Sequence, residues 1–166
     1  MRRVLSAIDA LSMWSGKAVS ILTLLVALVI VYETTVRTFF LRPTVWAAEA
    51  TVFACGLVYV IGGAWTMLED KHVRIDLLYS RLSPRGRATI NTLSFSFFAL
   101  YVGVMLWATT AYALDSLQLR ETLGTAWDPP IYPIKLALAF SFLLLLLQGI
   151  ARFIRDLHLA LTGRAL

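Results

Sequence analysis

Four stretches of this chain carry no Asp, Glu, Lys or Arg: Ala18 to Tyr32, Ala50 to Leu68, Ala88 to Leu114 and Leu136 to Ala151. With 59% of its residues hydrophobic, the chain is richer in apolar side chains than soluble domains, in which about 45–50% are apolar. A bilayer core about 30 Å thick takes about 20 helical residues to cross. The first and fourth stretches are short by that measure, but each extends past a lysine, Lys17 or Lys135, that snorkels to the headgroups. A backbone group left unpaired in lipid costs several kcal/mol, so only helices or closed barrels can span. These runs lack the alternation of a barrel strand. The sequence therefore predicts an all-α integral membrane protein, a single membrane domain over residues 1–166. Its four transmembrane helices fall at about 12–33, 46–67, 88–112 and 132–153.

Charge sets the orientation. Arg2, Arg3 and Lys17 precede or open the first span, and Lys71, Arg74, Arg81, Arg85 and Arg87 lie between the second and third. Arg152, Arg155 and Arg164 follow the fourth, whereas Arg37, Arg42, Arg120 and Lys135 fall on the other side. The positive-inside rule places the first three groups, and so both termini, in the cytoplasm. The net charge of +5 is thereby a topology signal. It lacks the aromatic or groove-reading context of a nucleic-acid surface. The first apolar run is long and has no small-x-small cleavage site after it, so it reads as a retained helix rather than a signal peptide.

The connections have their own chemistry. Ile75, Leu78, Tyr79 and Leu82 recur at helical spacing, with Arg74, Arg81 and Arg85 on a different face. That pattern predicts a short amphipathic surface helix at about 75–82, its arginines toward anionic headgroups and Asp76 capping its first turn. His72 lies just before it. Ser83-Pro84 reads as an N-cap and first-turn proline opening the third span. On the other side, Arg42-Pro43 turns the chain into the second span, where Trp46 suits an interfacial anchor. The third loop, Asp115 to Pro133, contains Trp127, Asp128, Pro129 and Pro130; paired prolines prevent it from being helical throughout.

Small residues mark where helices can approach. Ala50 and Ala54, Thr51 and Cys55, and Ala99 and Gly103 are pairs at four-residue spacing, and Gly56, Gly62 and Gly63 add small surface to the second span. Close backbone approach drives helix association in lipid, so the second and third helices are the candidates for protein contact. Leu143 to Leu147 faces lipid or a broad apolar surface.

Chemistry is sparse. Ionisable groups deep in a membrane mark proton or ion pathways, and the span interiors contain none. Glu33 sits at the outer end of the first span and Glu49 about one turn into the second. Glu49 either pairs with a basic group, Arg42 or one on a partner subunit, or is solvated at the interface. The two histidines, His72 and His158, fall in loop or tail segments, away from any haem-ligand position. The lone Cys55 reads as a packing residue. No phosphate loop, nucleophile elbow or metalloprotease helix occurs. Neither an enzyme nor a cofactor is expected.

Ordered segments carry a resemblance. Phe39-Phe40-Leu41-Arg42-Pro43 followed by Trp46-Ala47-Ala48-Glu49 forms one. Gly62-Gly63-Ala64 and then Lys71-His72-Val73-Arg74-Ile75-Asp76-Leu77-Leu78 form a second. Leu82-Ser83-Pro84-Arg85, with the Trp127 loop before a leucine-rich last helix, completes the set. Over nearly its whole length the chain resembles the small, DctQ-type membrane subunit of tripartite ATP-independent periplasmic (TRAP) transporters. Ala48 stands where that family often has another acidic or polar residue. The resemblance implies a multi-pass protein of the bacterial inner membrane that binds a large multi-span permease subunit. A periplasmic binding protein would deliver an organic acid to that pair for ion-gradient-driven uptake. The small subunit would steady the scaffold and offer periplasmic loops to the binding protein. Two rival readings are a self-oligomerising small exporter or channel, which needs polar pore-lining positions, and a membrane anchor for another complex.

Overall fold

In the computed structural model, residues 2–69 and 83–163 are described. They form four helices: α1 (Arg2–Phe40), α2 (Ala47–Leu68), α3 (Pro84–Leu119) and α4 (Tyr132–Thr162). Each is long and apolar enough to cross a membrane. Among the described residues the β pairing is confined to one isolated bridge, Thr122 with Pro130. The protein is a four-helix, multi-pass membrane protein. The predicted surface helix at 75–82 lies outside the described residues.

Three helices outrun the spans read from the sequence. α1 has 39 residues, α3 has 36 and α4 has 31, lengths of about 58, 54 and 46 Å at 1.5 Å per residue. The charge-free runs locate the hydrocarbon, but nothing in the flanking residues stops the helix there. Arg37 donates to the Glu33 carboxylate one turn earlier (Nη2 to Oε1, 2.7 Å), an i,i+4 pair that supports the last turns of α1. Asp115 to Leu119, expected in the third loop, are the final turn of α3.

Local chemistry sets the ends. Before Pro43 the chain leaves the helix, with Leu41 at φ 52°. The Ser83 side chain accepts from the Gly86 amide (3.2 Å) and Pro84 occupies the first turn, so α3 opens as the sequence foretold. Arg120 closes α3 in the left-handed region at φ 47°, its amide returning to Leu117. Gly163 does the same for α4 at φ 70°, bonded to Leu159.

The helices stand in an open row rather than a closed bundle. α3 packs on α4, α4 on α2, and α2 on α1; α1 also reaches α4. Two hairpins result, α1–α2 and α3–α4, joined along α2 and α4. Within each hairpin a glycine lets an aromatic ring lie against backbone. A Cβ on Gly16 would stand 2.6 Å from Trp65, and one on Gly149 would collide with Phe98. Phe95 and Phe153 stack at 4.2 Å beside that second contact. The core is thin: Val102, Leu144, Ala64 and Ala151 are among its few fully buried apolar residues. Ile21, Leu24, Leu28 and Val31 of α1 are exposed, as are Leu93, Phe97 and Trp107 of α3. A surface this apolar is stable against lipid or another membrane protein.

Candidate functional site

The residues singled out by sequence fall at two ends and one open face. At the end carrying the α1–α2 turn and the α3–α4 loop, Glu33 accepts from the Thr44 amide (3.2 Å) and from its hydroxyl. This ties the turn back onto α1. Tyr32 stacks on the half-buried Trp46 with ring centres 6.1 Å apart. Of the alternatives open for Glu49, a pair with Arg42 is not seen within the chain. Glu49 instead accepts from the Thr125 hydroxyl of the distant α3–α4 loop (3.0 Å), while Arg42 is exposed. Sequence proximity suggested the arginine; the fold brings a loop threonine nearer.

The α3–α4 loop is tightly organised. Leu123 donates to Pro129 (3.1 Å) and Ile131 to Glu121 (3.0 Å). Asp128, at φ 50°, accepts from the Gly124 amide (2.7 Å), and its own amide donates to Thr125 (3.2 Å). Pro129 is buried and Trp127 is 41% exposed. Lys135 donates to Glu121 and lies 3.9 Å over the Tyr112 ring. The hydrogen bond from Lys135, above all, holds the Glu121 carboxyl below its ordinary pKa. These bonds fix the loop's shape; the large apolar side chains it leaves exposed are Trp127 and Leu123.

The small-residue faces of α2 and α3 are not used for packing within the chain at their glycines. A Cβ added at Gly56, Gly62, Gly63 or Gly103 meets nothing within 4 Å. Ala50, Ala54 and Ala99 are half-buried. The glycines that internal packing requires are Gly16, which stands four residues from Ser12 and Ser20, and Gly149, which has Leu145 and Phe153 at that spacing. Gly62 and Gly63 instead line a groove between α1 and α2, with Val19, Thr23 and Tyr59. Gly103 lines a shallower one on α3 with Trp107 and Leu114.

His72, Arg74, Asp76 and Arg81 lie outside the described residues; at the opposite end of the helices Arg85 stands in the first turn of α3. Here the structure adds a polar cluster that sequence reading missed. Ser12 donates to Gln148 Oε1 (3.0 Å), Gln148 Nε2 donates to Asp9 Oδ1 (3.0 Å), and Arg155 pairs with Asp9 through both amino groups. Nearby, Asn91 donates to Asp156 (2.9 Å) and Arg152 to the Met67 carbonyl (3.3 Å).

Chemically, the arrangement binds helices to one another. Among the described residues no three His, Cys, Asp or Glu side chains gather as a metal site. No charged residue stands between Lys17 and Glu33 of α1 or between Glu49 and Glu69 of α2. A family model described as "Tripartite ATP-independent periplasmic transporters, DctQ component" matches residues 26–159. No curated protein and no solved structure gives a significant match. The match runs from the middle of α1 into the last turn of α4 and takes in all three connections, and on it this chain belongs to the DctQ family, the small permease component of TRAP transporters.

Proposed function

We propose that the chain is the non-transporting scaffold subunit of a TRAP secondary transporter in the bacterial inner membrane. A large multi-span permease subunit would carry the substrate and coupling-ion sites, and a periplasmic binding protein would supply an organic acid. Both termini and the basic end would face the cytoplasm, where the excess of Arg and Lys favours them. The α3–α4 loop and the α1–α2 turn would then face the periplasm and the binding protein. The observation that carries this reading is the open row: four spanning helices leave glycine faces uncovered and contain no charge at mid-span. Transport of a charged cargo needs polar or ionisable groups at that depth, whereas a scaffold needs surface.

Co-expression with the large permease subunit tests this. The expected outcome is a stable complex that survives purification, and binding-protein-dependent uptake in sealed vesicles only when both are present. Uptake by this chain alone would favour the self-assembling exporter. The exposed Arg42 fits a carboxylate on the large subunit, and Glu49 holds the loop through Thr125. Arg42→Glu is then expected to weaken the complex without altering the folding of the isolated chain.

A further inference from the structure

The buried residues of α1 are Leu5, Ser12 and Gly16, all in its first turns; from Lys17 onward no residue of α1 is buried. Gly16 meets Trp65 of its own hairpin. Ser12, fully buried, meets Gln148 of the other hairpin, itself 2% exposed. Gln148 bridges onward to Asp9, whose carboxylate takes both amino groups of Arg155. A fourth strand of this connection is Arg152 donating to the Met67 carbonyl at the end of α2. At the far end of the row, among the described residues, the hairpins share the exposed Thr125–Glu49 bond.

From this asymmetry we propose that Asp9, Ser12, Gln148 and Arg155 form a clasp that sets the angle between the two hairpins. Apolar helix surfaces slide over one another in lipid with little preference, because lipid solvates them as well as a neighbouring helix does. A planar bidentate arginine–carboxylate pair, oriented by a buried amide, imposes one geometry. With the clasp intact, α1–α2 and α3–α4 move as one body. Without it they hinge along the α2–α4 contact, opening at the basic end. The clasp is a property of this chain alone and does not depend on the transporter reading.

The test uses the full chain, Cys55→Ser, in lipid nanodiscs, with spin labels on introduced cysteines. One pair spans the seam at exposed Ala10 and Leu161; a second lies within the first hairpin at exposed Leu28 and Val52. Distances are measured by pulsed electron resonance. The expected result is a narrow seam distance in the parent and one roughly twice as broad in Asp9→Asn and Gln148→Leu, as hinge opening requires. The Leu28–Val52 distance stays narrow throughout. The double variant Asp9→Arg with Arg155→Asp restores the narrow seam. An unchanged seam in both single variants overturns the clasp. So does a charge swap that fails to restore it, or broadening within the hairpin as well, which would make Asp9 a residue of the general fold.

Discussion

Two kinds of glycine occupy this chain, and the difference lies in what a methyl group would meet. At Gly16 it would meet the Trp65 stem and ring, which cannot swing aside without moving α2. Overpacking of this kind costs about 1–3 kcal/mol, so Gly16→Ala is expected to lower the melting temperature of the purified chain clearly. Gly62→Ala and Gly103→Ala, with open space around them, are expected to leave it unchanged. Equal losses in all three variants would contradict the packing described. Spacing in the sequence shows where helices are able to approach, not where they do: Gly16 stands four residues from Ser12 and Ser20, the same pattern as Ala99 and Gly103, and only the fold sets Trp65 against it. Asp9, Gln148 and Arg155 were illegible for a related reason. Asp9 and Arg155 are 146 positions apart, and an arginine among three after the last span reads as a topology charge until the fold brings a carboxylate to it. At the loop end, Glu121 titrates below its unfolded value because Lys135 donates to it. A depressed carboxyl contributes stability above the unfolded pKa and loses it as pH falls through the folded one. The Ile131 amide, bonded to the Glu121 carbonyl, is therefore expected to exchange faster once pH drops below about 4, the ordinary range of a glutamate. In Glu121→Gln that acid-dependent step disappears; its persistence would assign the effect to another group.

At the scale of elements, membrane spanning was the most legible feature, since the absence of charge over a stretch speaks directly to lipid. The start of α3 was legible too. Ser83 is the acceptor for Gly86, and caps act through neighbours in sequence. Ser83→Ala is expected to cost about 1 kcal/mol, read as faster amide exchange at Gly86 and Arg87, while Ser83→Asp retains the cap. Identical exchange in Ser83→Ala would remove that role. The ends of α1 and α4 were not legible. Helix propensity continues smoothly across the headgroup boundary, and α4 closes only at Gly163, well past the last apolar run. These extensions matter, because the clasp is built from the portion of α1 before Lys17 and the portion of α4 after Leu147.

At the scale of the whole molecule, the open row and the family agree. A closed four-helix bundle would bury a common core; this chain buries few large side chains and leaves much of its apolar surface exposed. Polar bonds between membrane helices contribute about 0.6 kcal/mol each on average, enough to define a geometry. The family of the chain was readable from ordered segments around the three connections, and the match over residues 26–159 bears that reading out. The way its helices line up was not readable, because four similar apolar runs give no sign of which neighbour each prefers.

The most direct test of the account is uptake into sealed vesicles, measured with the binding protein present and with this chain, the large permease subunit, or both in the membrane. The account predicts accumulation of substrate only with both, and co-purification of the pair from those membranes. Accumulation driven by this chain alone would contradict it.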